Sequence, residues 1–83
     1  MTTRVLSERQ AEILRFIGDF HAERHYAPTH REITAGCGIS STSVTSYNVE
    51  ILRRARLILI EPGMARTIRL TEKGWQTLEA EHA

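Results

Sequence analysis

Apolar positions recur at helical spacing in the first third of the chain, where Ile13, Leu14, Ile17 and Phe20 fall on one face between about Glu8 and Arg24. Ser7-Glu-Arg-Gln10 precedes them as a capping box, whose hydroxyl and amide satisfy backbone donors that a helix start leaves unpaired. A first helix is therefore predicted, closed by Tyr26-Ala-Pro28, because proline disfavours helical geometry in the residue before it. A second capping box, Thr29-His-Arg-Glu32, opens a helix of about two turns with Ile33 and Ala35 facing inward. Gly36 or Gly38 supplies a left-handed residue to close it, and Ile39 is placed as an apolar lock in the turn. The next pattern, from Ser41 to Arg56, predicts a third helix capped by Ser40 or Ser41, with Val44, Ile51 and Leu52 inward and Tyr47 or Asn48 at the rim.

The period then changes. Leu57–Glu61 and Thr67–Thr71 are β-branched or alternating runs separated by Pro62-Gly-Met-Ala-Arg66, a turn signal, and together they predict a hairpin. Thr71-Glu-Lys-Gly opens a last helix with Trp75 and Leu78 on its apolar side. The fold class expected is mainly α with a small β-hairpin: a winged helix-turn-helix of three helices, a two-stranded antiparallel wing and a C-terminal helix. Residues 1–83 form one domain in this reading, with the helix-turn-helix at about 29–56, the wing at about 57–71 and the C-terminal helix at about 72–81.

At 83 residues, 41% hydrophobic and 25% charged, the chain has material for one shared core and no separate catalytic or ligand-sensing domain. The apolar run Leu57–Ile60 falls far short of the roughly 20 residues that span a bilayer, and Met1–Val5 lacks the apolar stretch of a signal peptide, so a cytoplasmic location is expected. The single cysteine, Cys37, has no partner for an internal disulfide and is placed in the apolar turn. The formal charge is +1, but residues 1–27, 28–71 and 72–83 carry 0, +3 and −2, so the cationic excess lies in the helix-turn-helix and wing. Such a basic patch is the electrostatic footprint of phosphate binding.

The third helix begins with short hydroxylated and amide side chains and ends in arginines. The major groove admits a helix whose first turns meet base edges, so Ser41, Thr42, Ser43, Val44, Ser46, Tyr47 and Asn48 are the candidate base-reading residues. Asn48 and Ser43 are suited to hydrogen bonds, and Thr42, Thr45 and Val44 to thymine methyls. Candidates for the DNA backbone or minor groove are Thr29, His30, Arg31, Arg53, Arg54, Arg56, Arg66 and Arg69. A solvated helix face, with arginines favoured by the macrodipole, is the plainer account of the same residues. His21, His25, His30 and Cys37 invite a metal reading, but the spacing crosses a helix break, so no metal and no cofactor is expected. No nucleophile with an adjacent base, phosphate loop or paired carboxylates is visible, so catalysis is not expected either.

Read jointly, several strings resemble the N-terminal DNA-binding domain of LexA-type repressors. These are Leu6-Ser-x-Arg-Gln-x-Glu-Ile13, Ala27-Pro-Thr-x-x-Glu-Ile33, Gly38, Ser41 and Gly63-x-x-Arg-x-Ile-Arg-Leu70, in order and without gaps. The resemblance implies binding of operator DNA, with helix 41–56 in the major groove and the 61–69 wing on the backbone or minor groove. The positions matching that family's base-reading residues are Ser41, Ser43, Val44, Ser46 and Tyr47. Ser41 agrees with the usual pattern, whereas Ser43 stands in place of Asn, and Ser46 and Tyr47 in place of two Glu, which implies a different operator. The family's cleavage site and Ser-Lys dyad are not found in these 83 residues. Leu70-Thr-Glu-Lys-Gly74 looks instead like other winged-helix regulators, whose closing helix packs on the first or joins two protomers. The expected function is a sequence-specific, double-stranded DNA-binding transcriptional regulator, a repressor by resemblance, acting as a homodimer through residues 72–81. A winged-helix module that binds a protein partner is the alternative, motivated by the low net charge.

Overall fold

The computed structural model describes residues 6–82; the leader reading of Met1–Val5 lies outside the described residues. The element order is α1 (Glu8–Arg24), α2 (His30–Gly36), α3 (Thr42–Arg54), β1 (Ile58–Leu59), β2 (Arg69–Leu70) and α4 (Glu72–His82). This is a winged helix-turn-helix, and no helix among the described residues is long and apolar enough to cross a membrane.

Each helix start is fixed locally. Ser7 Oγ accepts from the Gln10 backbone N–H at 3.1 Å while Gln10 Oε1 accepts from the Ser7 N–H at 3.2 Å. Thr29 and Glu32 repeat the reciprocal pair at 3.1 and 2.8 Å. α1 stops at His25, whose left-handed backbone (φ 64°) turns its N–H onto the His21 carbonyl, so the break precedes Pro28 by three residues. At the end of α2 the two glycines divide the work. Gly38 takes the left-handed conformation (φ 65°), letting the Ile39 N–H reach back to the Thr34 carbonyl at 2.9 Å. Gly36 remains helical, and a Cβ there would overlap the Phe16 ring, so its smallness sets how closely α2 approaches α1.

The core runs between all the elements. Ile13, Leu14 and Ile17 of α1, Ile33 of α2, Leu52 of α3 and Ile58 of β1 are fully buried, with Val49, Leu57, Ile68, Leu70 and Leu78 around them. Each such side chain contributes on the order of 1.5–3 kcal/mol of apolar transfer. Three expected inward residues differ. Ala35 is exposed, Val44 is 40% exposed, and Trp75 is 41% exposed. In α2 the side chain turned toward α3 is instead Thr34, and in α3 the buried row is Thr45, Asn48, Val49 and Leu52. Trp75 packs on α1 at Gly18, its ring 3.1 Å from where a Cβ there would stand, and remains partly in solvent.

The wing is shorter than the sequence pattern suggests. β1 and β2 pair antiparallel for two residues each, in the register Ile58↔Leu70 and Leu59↔Arg69. Beyond Leu59 the ladder is replaced by a side chain, because Thr67 Oγ1 accepts the Glu61 N–H at 3.0 Å. At the base of the wing, Thr71 Oγ1 accepts from the Gly74 N–H at 3.0 Å and donates to the Arg56 carbonyl at 2.7 Å, while the Thr71 N–H bonds the Leu57 carbonyl. Thr71 thus starts α4 and closes the sheet at once.

Gly74 is required at that junction, since a Cβ would overlap the Leu57 carbonyl oxygen, a backbone atom that cannot swing away. Gly74→Ala is expected to destabilise the domain by about 1–3 kcal/mol, as overpacking does in tight cores. Urea unfolding checks this, and a midpoint equal to wild type would contradict the close approach.

Candidate nucleic-acid interface

The rotation of α3 about its axis decides which of its residues face outward, and two polar contacts set it. Thr34 Oγ1 donates to the His30 carbonyl at 2.7 Å, so its 2.6 Å contact with Thr45 Oγ1 receives the Thr45 proton. Thr45 is fully buried, so its hydroxyl and methyl are turned away from solvent. Asn48, 8% exposed, donates from Nδ2 to the Val44 carbonyl at 2.9 Å and accepts at Oδ1 from Gln10 Nε2 at 3.3 Å. Asn48, expected to read bases, and Thr45, expected to touch a thymine methyl, are instead turned inward here, where both hold α3 against α1 and α2.

With those residues inward, about 100° per residue places Ser43 and Tyr47 near the middle of the outer face, flanked by Ser46 on one side and Val44 on the other. Tyr47 is 69% exposed. Thr42 and Ser43 are exposed on the first turn, and Ser41 is the N-cap, its Oγ accepting from the Val44 N–H at 3.4 Å. The structure thus gathers Ser41, Thr42, Ser43, Val44, Ser46 and Tyr47 on the accessible start and outer side of one helix.

The arginines fall into two groups. Arg53 grips Glu50 with two hydrogen bonds, Nε to Oε1 at 2.8 Å and Nη2 to Oε2 at 2.6 Å, and Arg54 Nε reaches Glu50 Oε2 at 3.1 Å. The Arg53 hydrogen bonds, aided by Arg54, lower the Glu50 carboxyl to about 2, and Glu50 in turn raises Arg53. Arg66 is likewise engaged. Its Nη1 donates to the Ala27 carbonyl at 3.1 Å and to Glu32 Oε1 at 3.0 Å, and its guanidinium lies 5.0 Å from the centre of the Tyr26 ring. Glu32 is held below its ordinary pKa first by the Thr29 backbone N–H of the capping box and then by Arg66. Arg66 therefore ties the wing to the start of α2. Arg31, Arg56 and Arg69 are exposed and engage no other side chain among the described residues.

Arg56 carries a further cost. It adopts a left-handed backbone (φ 63°) after α3, so that the Leu57 N–H returns to the Leu52 carbonyl at 3.0 Å. That conformation costs a non-glycine residue roughly 1–2 kcal/mol. Thr29 uses its hydroxyl in the cap of α2, and His30, the first residue of that helix, is half-buried. Two residues outside the sequence-level candidates shape this site. Glu50 was readable from its spacing of three and four to Arg53 and Arg54. Gln10 carried no local signal, because its partner Asn48 is 38 residues away.

Residues 3–67 match the family described as the LexA DNA binding domain. The LexA repressor of Oenococcus oeni is 40% identical over 70 residues, covering 84% of this chain and 33% of the relative. That of Roseiflexus sp. is 45% identical over 65 residues, covering 78% and 30%. The chain spans about a third of the length of these curated relatives. Among solved structures, the Mycobacterium tuberculosis transcriptional regulator MosR superposes with a TM-score of 0.72 at 27% identity, covering 90% of this chain and 52% of that one. MepR, a transcription regulator of Staphylococcus aureus, has a TM-score of 0.73 at 20% identity, covering 92% and 55%, and shows the likeness of fold alone.

Asn48→Ala removes a buried amide and leaves Gln10 Nε2 without its acceptor, so it is expected to destabilise the domain by about 1–2 kcal/mol. Chemical denaturation measures this. Any residual DNA preference of the folded fraction should stay unchanged, and a shifted preference would return Asn48 to the reading face. A second expectation concerns acid. The folded Glu50 pKa lies below the ordinary 4.5, so its pairing stabilises the protein fully above 4.5 and loses that effect as pH falls through about 2. Wild type should exceed Glu50→Gln in stability by a constant margin above pH 4.5 that closes toward pH 2, as read from denaturant midpoints at stepped pH.

Proposed function

The chain belongs to the LexA DNA-binding domain family, and on that premise we propose that it is a sequence-specific, double-stranded DNA-binding transcriptional repressor. α3 enters the major groove with Ser41, Thr42, Ser43, Val44, Ser46 and Tyr47, and the wing lies along the neighbouring backbone or minor groove. The observation that carries this reading is the outer face of α3 itself. Its apolar and hydroxylated side chains are turned away from the core, and exposed arginines without a side-chain partner among the described residues stand nearby in the fold: Arg31 on α2, which packs on α3, Arg56 after α3, and Arg69 on β2, whose partner strand meets α3. Phosphate contacts from these three would position the helix, and base contacts from α3 would select the sequence. Arg56 supports the assignment in another way, since a left-handed site that glycine fills at less cost is occupied by a cation.

Arg53 and Arg54 contribute less charge than their number suggests, because Glu50 neutralises one of them at the end of α3. Thr29 and His30 at the start of α2 are within this interface as secondary backbone contacts. Arg66 serves chiefly by fixing the wing, from which Arg69 approaches the DNA. A module this small buries limited area on DNA, so useful affinity calls for two copies on half-sites about one helical turn apart. The half-exposed Trp75 on α4 supports residues 72–81 as the surface where two protomers meet.

Selection from a random DNA library, followed by titration at several salt concentrations, tests the proposal. One sequence class should be enriched, and affinity should fall steeply with salt. Arg56→Ala and Arg69→Ala should each flatten the slope of log affinity against log salt by about 0.9, whereas Glu50→Gln should steepen it by freeing Arg53 and Arg54. No enriched sequence together with salt-independent behaviour would replace this reading with a protein partner. Sedimentation showing a strict monomer at high concentration, with no pairing on DNA, would overturn the dimer.

A further inference from the structure

We propose that α3 distinguishes bases mainly by the C5-methyl group of pyrimidines, with Tyr47 and Val44 as the contacting pair. This rests on the DNA-binding reading above and names the chemistry by which that site selects sequence.

The argument starts from what the outer face lacks. In the major groove, sequence is read most sharply by bidentate groups, arginine on guanine and asparagine or glutamine on adenine, and by carboxylates accepting from cytosine. The first two turns of α3 hold one amide, Asn48, and it is buried with its oxygen on Gln10 and an N–H on the Val44 carbonyl. Glu50 is clasped by Arg53 through two bonds and by Arg54 through Nε, so neither the carboxylate nor the Arg53 guanidinium presents a free fork. Arg53 and Arg54 also end the helix, whereas recognition helices meet base edges with their N-terminal residues.

Hydroxyls and apolar groups remain. Thr42, Ser43 and Ser46 can donate or accept, so each tolerates several base edges. Val44 and Tyr47, 40% and 69% exposed, lie three residues apart on adjacent lines of the helix, with Ser43 one turn before Tyr47. Their surfaces are the large apolar areas left uncovered on this element. In an unmodified duplex the one apolar group projecting from a base edge into the major groove is the thymine methyl. Packing it against the Tyr47 ring and the Val44 methyls removes apolar surface from water on both sides, which a cytosine or uracil at the same position does not.

The test alters the DNA first. In the site enriched from the random library, each thymine is replaced singly by deoxyuridine, which deletes the methyl and keeps the hydrogen-bonding edge. Binding of the whole chain is followed by fluorescence anisotropy at fixed salt. The expected result is a loss of about fourfold at one or two thymines of each half-site, the size of one methyl-sized apolar contact. Tyr47→Ala or Val44→Ala should bind thymine and uracil forms alike there, while Tyr47→Phe keeps the difference. Both positions are exposed, so folding should persist, and circular dichroism confirms it. At the sensitive position, cytosine and 5-methylcytosine are then compared. Recovery on methylation assigns the contact to any C5-methyl, and no recovery assigns it to thymine, whose methyl is read beside its own O4. Salt-dependent, sequence-selective binding that ignores every thymine-to-uracil change would overturn the methyl inference and leave the DNA reading standing. No selective, salt-dependent binding at all would overturn both.

Discussion

The angular setting of α3 governs everything that the domain offers to a partner. Apolar packing of Val49 and Leu52 holds the helix down but is non-directional, and by itself permits rotation by a fraction of a turn. Hydrogen bonds are directional, and here two of them lie on different sides of the buried row: Thr45 to Thr34 on α2, and Asn48 to Gln10 on α1. A helix advanced by one residue would bury Ser46 and the like while leaving those donors and acceptors unpaired, at the full desolvation cost of each. The same Gln10 also closes the capping box of α1. One side chain therefore joins the start of the first helix to the orientation of the third.

The wing depends on side chains in a comparable way. Two residues of ladder per strand are too few to define where a hairpin points, and its loop is held instead by Thr67 and by Arg66. Arg66 bonds a backbone carbonyl and a carboxylate and covers an aromatic ring, contacts that combine direction with area. Because Glu32 is at once the partner of Arg66 and half of the α2 cap, the wing and the second helix are located by one carboxylate. The wing is thus referenced to the helix-turn-helix rather than to the strands that carry it.

Local signals and long-range ones were legible to different degrees. The order of the elements, both capping boxes, the Gly38 turn and the Thr71 start of α4 lie within a few residues of their partners, and the sequence carries them openly. The inward and outward assignments within short helices do not have that support. Seven residues of α2 contain too few apolar positions to fix a phase, so Ala35 was assigned inward when Thr34 faces α3. In α3 an asparagine and a threonine occupy the core-facing row, where a polarity pattern expects an apolar residue and so places Val44 inward. Their partners on α1 and α2 give no hint in the local string. Trp75 differs for another reason: the missing side chain at Gly18 lets the indole approach α1 while the residue stays 41% exposed. Arg66 looked like a free wing cation because its acceptors, Ala27 and Glu32, are more than thirty residues away.

Charge placement supplies what the hydroxylated outer face of α3 cannot. Serine and threonine contacts are individually undemanding, so the attraction that brings the domain to DNA must come from elsewhere, and a net charge of +1 is a poor source. The distribution resolves this. α4, in the acidic last block of the chain, packs on α1 and β2, and its Lys73 Nζ donates to the Ala55 carbonyl at the end of α3 at 3.1 Å. The exposed arginines 31, 56 and 69 belong to the basic block, on α2, after α3 and on β2. The basic residues are thus concentrated in one stretch of the chain, and attraction to a polyanion comes from that stretch rather than from the net charge. Within that stretch Glu50 and Glu32 pair with Arg53, Arg54 and Arg66, which leaves Arg31, Arg56 and Arg69 as exposed cations without a side-chain partner among the described residues.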